Sequence, residues 1–379
     1  MRRYGLDVTL TLGRATGIGR VVKELVLAAA PRLGEDEELV LVARTFRLNP
    51  LFGASHAFLD RAAASPRVRV VRVPLPSRLV AATPVEEFAG RIDVMHGPNS
   101  SLPATRARRS VVTVHDAGPL RRPQDVPRRF AASFRDGVTD AVRRADRVLT
   151  VSDFTALEVA DLLGVPRERI ETVRPGVSAA FAAPGDAAAE HAALRARHGT
   201  LGPFVLFVGT ANARKNLPRL LDAFAAARRT AGLPHVLVVA GDRGGDDVRA
   251  LAAARGLGGA VRVAGYVAEP ELAALYRAAG ALVFPSLYEG FGLPVLEAMA
   301  AVCPVLTSDG SALRETAGDA ALLVDPESAD AIAAALVRVL ADAALRARLV
   351  EDGRRRAAGF TWERFAERHV AIWRELAAS

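Results

Sequence analysis

What most limits the fold of this chain is a rhythm that runs along it twice. Short runs of β-branched and apolar residues alternate with stretches of helical periodicity. The first series predicts strands at 6–10, 39–42, 68–73, 92–95, 111–114, 147–151 and 170–173. The second predicts them at 204–208, 236–240, 261–264, 281–284, 305–307 and 321–324. Strand-length apolar runs separated by amphipathic helices cannot pair as hairpins; they fold as parallel sheets with helices on both faces. Helices are expected to start near Gly17, Pro127 and Ser152, the last with the serine as N-cap. The stretch from Ala179 to Gly202, rich in Ala, Pro, Gly and charge, breaks the rhythm and reads as a linker carrying a short helix. At 379 residues the chain exceeds one ordinary core. The fold class is therefore α/β, with two Rossmann-like parallel-sheet domains facing a cleft, and ligands are expected beyond the carboxyl ends of the strands.

Composition excludes several classes. No run of 18 apolar residues occurs, and the opening Met1-Arg2-Arg3-Tyr4-Gly5-Leu6-Asp7 meets a charge too early for the apolar segment of a secretory leader. The reading is a cytoplasmic protein. The single cysteine, Cys303, precedes a predicted strand and suits packing rather than chemistry. Basic residues number 50, but only Lys23 and Lys215 are lysines. Between Arg106 and Arg147, eleven arginines face five aspartates. That excess suits a solvated surface or an anionic partner, namely a lipid-phosphate acceptor or an acidic membrane surface at the inner face. Nucleic acid is not expected, because aromatics for base stacking are not interleaved with the arginines.

Near the C-terminus, Tyr288-Glu289-Gly290-Phe291-Gly292-Leu293-Pro294-Val295-Leu296-Glu297 sets two carboxylates eight residues apart across a glycine turn. Pro294 marks a first helical turn, so a strand–turn–helix is expected, with backbone N–H groups and a helix dipole favouring a phosphate. Glu289 would lie in the loop and Glu297 a turn into the helix. After the strand at 204–208 comes Gly209-Thr210-Ala211-Asn212-Ala213-Arg214-Lys215-Asn216, again before a helix. Adjacent cations there oppose the helix dipole unless an anion neutralises them, and a diphosphate would do so. Thr16-Gly17-Ile18-Gly19-Arg20 follows the first predicted strand but fails the dinucleotide fingerprint, since Val22 stands where a third small residue is needed. His115-Asp116 ends the strand at 111–114. No Asp-x-Asp and no His/Cys cluster with metal spacing occurs, so no metal site and no cofactor are expected.

The Glu-x7-Glu cassette resembles the signature of the retaining glycosyltransferases of family 4, which have the GT-B fold, and the resemblance extends over nearly the whole chain. It implies an acceptor-side domain at 1–182, a linker at 183–202, a nucleotide-sugar-binding domain at 203–358 and a helix at 359–379 crossing back to the first domain. It implies that Gly17, Arg214, Lys215, Glu289, Gly290, Phe291, Gly292, Leu293 and Glu297 bind the donor. His115 and Glu289 are implied at the transferred sugar, and Glu297 at the ribose. Asn216 departs from the family, where Gly often follows the Lys. The Gly-Thr-x4-Lys-Asn loop and the His-Asp segment are most similar to the mannosyltransferase-like branch, which implies a hexose, best matched by mannose from GDP-mannose. The acceptor implied is a glycan, a lipid-linked molecule or a small molecule. Two rival readings are a sugar-nucleotide epimerase of GT-B shape and a non-catalytic nucleotide- or glycan-binding subunit. The failed fingerprint disfavours a dehydrogenase.

Overall fold

The computed structural model describes residues 1–12, 17–44, 56–73, 75, 79, 82–199, 202–241 and 245–379. Thr16 lies outside the described residues. The chain forms two compact units, one of residues 1–176 and 361–379, the other of residues 177–360.

The first unit is built on a seven-stranded sheet of β1 (Arg2–Asp7), β2 (Glu37–Arg44), β3 (Val68–Val73), β4 (Val94–Gly97), β5 (Arg109–Val114), β6 (Arg147–Thr150) and β7 (Ile170–Thr172). Its order is β3-β2-β1-β4-β5-β6-β7, and every pairing is parallel. Strand order reverses between β1 and β4, the switch point at which doubly wound sheets open a crevice. One expected strand is displaced: β1 covers Arg2–Asp7 rather than 6–10. The Asp7 carboxylate accepts from the N–H and hydroxyl of Thr9, which folds Thr9–Leu12 into a 3-10 turn and ends the strand. Val8 still donates to the Val42 carbonyl.

The terminal helix Trp362–Ala378 belongs to this unit. Thr361 caps it through the Arg364 N–H. Trp362, Phe365, His369 and Trp373, spaced three or four residues apart, are buried along one face. Trp373 meets the Tyr4 ring at 5.7 Å, and His369 stacks on His96 at 5.6 Å. Arg374 forks onto Glu37 at 2.8 and 2.7 Å and, with the Gly34 N–H and the Tyr4 hydroxyl, holds that carboxyl down to about 2 against its burial.

The second unit carries a six-stranded parallel sheet of β8 (Phe204–Val208), β9 (Val236–Ala240), β10 (Val261–Gly265), β11 (Leu282–Phe284), β12 (Val305–Ser308) and β13 (Leu322–Val324). The order is β10-β9-β8-β11-β12-β13, with the switch point between β8 and β11. Val205, Leu206 and Phe207 in β8 and Leu282, Val283 and Phe284 in β11 are all fully buried. Continuous apolar strands of this kind are what helices on both faces require. Residues 177–182 and most of 183–202 pack with this unit. The helix Ala187–His198 is tied to the helix Glu269–Ala278 by the Glu190–Arg277 pair and by His198 on Glu271 at 2.7 Å. Cys303 is buried beside β12, where burial pushes its thiol up to about 12, so it is packing.

Candidate active site

At the switch point of the second unit, the loops after β8 and β11 bring three charges together. The Lys215 ammonium donates to Glu289 Oε1 at 2.6 Å, and Arg214 Nη1 lies 2.7 Å from Glu289 Oε2. Lys215 and Glu289 are each 7% exposed, and Lys215 Nζ also lies 4.5 Å from the centre of the Phe284 ring. Burial by itself would raise the Glu289 carboxyl. The Lys215 and Arg214 cations, by charge and hydrogen bond, outweigh it and hold the carboxyl down to about 2. The anion that the adjacent cations call for is thus present in the protein itself. A diphosphate would have to share or replace it.

Local chemistry fixes this geometry. The Asn212 side chain accepts from the Lys215 N–H and caps the short turn Ala213–Lys215. The next residue, Asn216, has φ +60°, the left-handed region that Gly or Asn adopts with least strain. The departure from Gly at this position is therefore conservative in conformation. Asn216 also donates to the Pro285 and Pro326 carbonyls and accepts from Arg219, tying the loops after β8, β11 and β13 together. The Leu287 N–H donates to the Arg214 carbonyl, and Arg214 donates to the Tyr288 carbonyl. The two loops are one hydrogen-bonded body.

Beyond Glu289, its own N–H donates to Ser311 Oγ at 3.2 Å, and its carbonyl accepts from Ala312. Gly290 and Phe291 lead into Gly292, the N-cap of the helix Leu293–Ala300, with φ +105°. A Cβ at Gly292 would stand 2.6 Å from Leu313, so turn geometry and packing require glycine there. Glu297 lies in the helix and is 5% exposed. Its Oε2 accepts from the Tyr276 hydroxyl at 3.1 Å. Sequence reasoning missed Tyr276, Asn212 and Ser311 as supports. Only Tyr276 carried a signal, as one of four tyrosines, set in a helix of Ala and Leu.

In the first unit, Gly17 is the first residue of the helix Gly17–Ala29, which follows β1, and a Cβ there would meet nothing within 4 Å. His115 follows β5 and is buried; its Nε2 hydrogen-bonds to the Pro98 carbonyl at 2.8 Å. A carbonyl only accepts, so Nε2 carries the proton and Nδ1 is the ring acceptor of the neutral form. Burial pushes the His115 pKa down, and the Pro98 bond and Asp116 only partly oppose it. The Asp116 Oδ1 accepts from the Gly118 N–H and fixes the following turn. Pro98 is positioned by Gly97, where a Cβ would collide with the Ser101 carbonyl oxygen at 1.9 Å. Among the described residues, no group of three metal-binding side chains occurs.

Comparisons with known proteins give the family and the fold. The family described as "Glycosyl transferases group 1" matches residues 190–356, and "Glycosyltransferase Family 4" matches residues 15–181. The chain is 34% identical over 285 residues to the O-antigen chain mannosyltransferase B of Escherichia coli, covering 75% of this chain and 74% of that protein. Among solved structures, the sucrose-phosphate synthase of Thermosynechococcus elongatus superposes with a TM-score of 0.77 at 23% identity over 100% of both chains. Anabaena Alr3699/HepE, in complex with UDP and glucose, superposes with a TM-score of 0.74 at 17% identity, covering 99% of this chain and 100% of that one. At these identities the structures establish the fold.

Proposed function

We propose that mannose from GDP-mannose is the sugar moved, and a glycan its destination, for this chain, which belongs to glycosyltransferase family 4, to its mannosyltransferase-like branch. The chain is a glycosyltransferase of GT-B fold. The observation that carries the proposal is the Arg214–Glu289–Lys215 cluster at the β8/β11 switch point, with Glu297 eight residues beyond. Two buried or half-buried cations at the carboxyl ends of parallel strands suit a diphosphate, whose charge grows as the bond to the sugar breaks. The mannosyl donor is supported by the likeness to the Escherichia coli mannosyltransferase.

In this reading, Lys215 and Arg214 turn toward the diphosphate, and Glu289, partly released from them, accepts from sugar hydroxyls. Glu297, braced at Oε2 by Tyr276, accepts from the ribose. His115 offers its ring to the sugar. The acceptor oxygen bonds to the anomeric carbon as the bond to the phosphate oxygen breaks, and the acceptor's proton passes to that phosphate oxygen on the same face. The configuration is then retained. Charge neutralisation comes from the chain's own cations, so turnover is expected to survive EDTA.

Two measurements test this. A thermal-shift panel of GDP-, UDP-, ADP- and dTDP-sugars should single out GDP-mannose, since a ligand at 100 times its Kd stabilises by about 2.7 kcal/mol. Proton NMR of the product, formed with and without chelator, should show the donor's anomeric configuration both times. An inverted anomeric signal, or activity lost to EDTA and restored by Mn²⁺, would overturn the mechanism. Glu297→Gln should weaken nucleoside diphosphate binding by roughly 1–2 kcal/mol, because a charged acceptor becomes a neutral amide. Calorimetric titration of a folded variant with unchanged affinity would reduce Glu297 to a helix-dipole residue.

A further inference from the structure

Arg354, Arg355 and Arg356 stand together in the last turn of the helix Ala343–Ala357, but they face different partners. Arg354 and Arg355 are exposed and pair with Glu351 and Asp352 of their own helix. Arg356, half-buried, reaches a neighbouring helix. Its Nε donates to the Thr316 carbonyl at 2.6 Å, and its Nη2 donates to the Glu315 carbonyl. Both carbonyls lie in the last turn of the helix Ser311–Ala317. The final carbonyls of a helix lack partners within it, and a cation there also suits the negative end of the dipole. Gly318, with φ +54°, ends that helix, and a Cβ on it would stand 3.0 Å from the Arg356 guanidinium carbon. The glycine turn leaves the room that the guanidinium fills.

The helix so held runs against the turn that carries Glu289. At its start, Ser311 Oγ accepts from the Glu289 N–H, and the Ala312 N–H donates to the Glu289 carbonyl. In its middle, the buried Leu313 occupies the space that a Cβ on Gly292 would enter. Near its end, the buried Thr316 hydroxyl donates to the Phe291 carbonyl at 2.6 Å. Arg356 reaches the same turn by a second route. Its guanidinium carbon lies 5.6 Å from the centre of the Phe360 ring, and Phe360 meets the Phe291 ring edge-on at 5.9 Å. One short helix thus grips the backbone at Glu289, Phe291 and Gly292. Arg356 holds both the far end of that helix and the ring that backs Phe291.

The geometry points to Arg356 as a positioning residue for the transfer reaction: it latches the helix Ser311–Ala317, and that helix splints the turn from Glu289 to Gly292 in its working shape. The inference rests on the reading of this turn as the place where the donor's diphosphate and sugar are held. A carboxylate and backbone N–H groups serve a reacting ligand only when fixed to within roughly 0.5 Å. A turn with glycine at 290 and 292 has wide conformational freedom and does not fix itself. The stiffness has to come from what packs behind it, and here that is the splint and its latch.

The test sets Arg356→Met and Thr316→Val against Arg354→Met and Arg355→Met as controls. Hydrogen exchange of the full chain without ligand, followed by mass spectrometry, reads the splint directly. Exchange at the Glu289 and Ala312 N–H groups should quicken about tenfold in both test variants and keep the wild-type rate in the controls. Calorimetry then compares GDP with GMP, and UDP with UMP. The turn meets the phosphate next to the sugar, so Arg356→Met should weaken the diphosphate about tenfold and the monophosphate by less than about twofold. Turnover at saturating donor should fall by about ten- to a hundredfold. Thr316→Val should show the same pattern more weakly. The double variant should lose less than the product of the two single losses, since both act through one helix. An arginine that merely stabilises the unit would lower melting and affect diphosphate and monophosphate alike. That result, or wild-type exchange at Glu289 and Ala312 in folded Arg356→Met, would overturn the inference. Wild type that binds neither diphosphate would instead overturn the donor reading, and the exchange measurement would still decide whether Arg356 holds the turn.

Discussion

Lys215→Ala is expected to lower turnover by about 10²- to 10³-fold while weakening free nucleoside diphosphate by only about tenfold. The asymmetry follows from where charge develops. In the ground state the diphosphate is already anionic and partly solvated, whereas in the transition state it takes up the electron pair of the breaking bond. A cation held beside the leaving oxygen in a site closed to water stabilises that second state more. Lys215 is the better placed of the two cations. Its side chain is 9% exposed against 33% for Arg214, so solvent screens it less. Arg214→Ala should therefore show the smaller defect. Because Lys215 also neutralises a buried carboxylate, Lys215→Met, which keeps the packing over Phe284, serves as the second variant. Steady-state kinetics beside calorimetry decides the matter, and turnover equal to wild type in both folded variants would remove Lys215 from the diphosphate site.

Much of this site could be read from residue order, and what could not be read shares one physical cause. The strands at 204–208 and 236–240 coincide with β8 and β9 because a strand buried on both faces is a continuous apolar run. The strand expected at 6–10 was misplaced because Asp7 and Thr9 form a local side-chain turn that apolar content does not reveal. The Glu289–Glu297 spacing was legible, as a fixed offset across one turn. Their partners were not. Lys215 meets Glu289 across 74 residues, and Tyr276 reaches Glu297 from another helix. Such pairs depend on strand order, which no local pattern records. Asn216 looked like a departure until its left-handed backbone explained it.

Glu289→Gln should separate stability from binding more widely than any other single change. The variant keeps the shape of the side chain but leaves Lys215 and Arg214 without their anion. Removing one member of a buried charge cluster costs about 3–5 kcal/mol, so the variant alone should melt well below wild type. A nucleoside diphosphate restores the missing negative charge without having to displace a carboxylate. The variant should therefore bind it at least as tightly as wild type and gain more thermal stability from it, while turnover falls because the sugar loses its acceptor. The pH dependence supplies an independent reading. The Glu289 carboxyl is held down to about 2, below its unfolded value of about 4.3. Its stabilising contribution is thus complete above that unfolded value and is lost as pH falls toward 2. Wild type should lose this increment on acidification, and Glu289→Gln, having no carboxyl to protonate, should not. Differential scanning fluorimetry from pH 7 to pH 2, with and without nucleoside diphosphate, measures both effects. A folded variant that binds nucleoside diphosphate more weakly than wild type would show that Glu289 and the phosphates do not compete for the same cations.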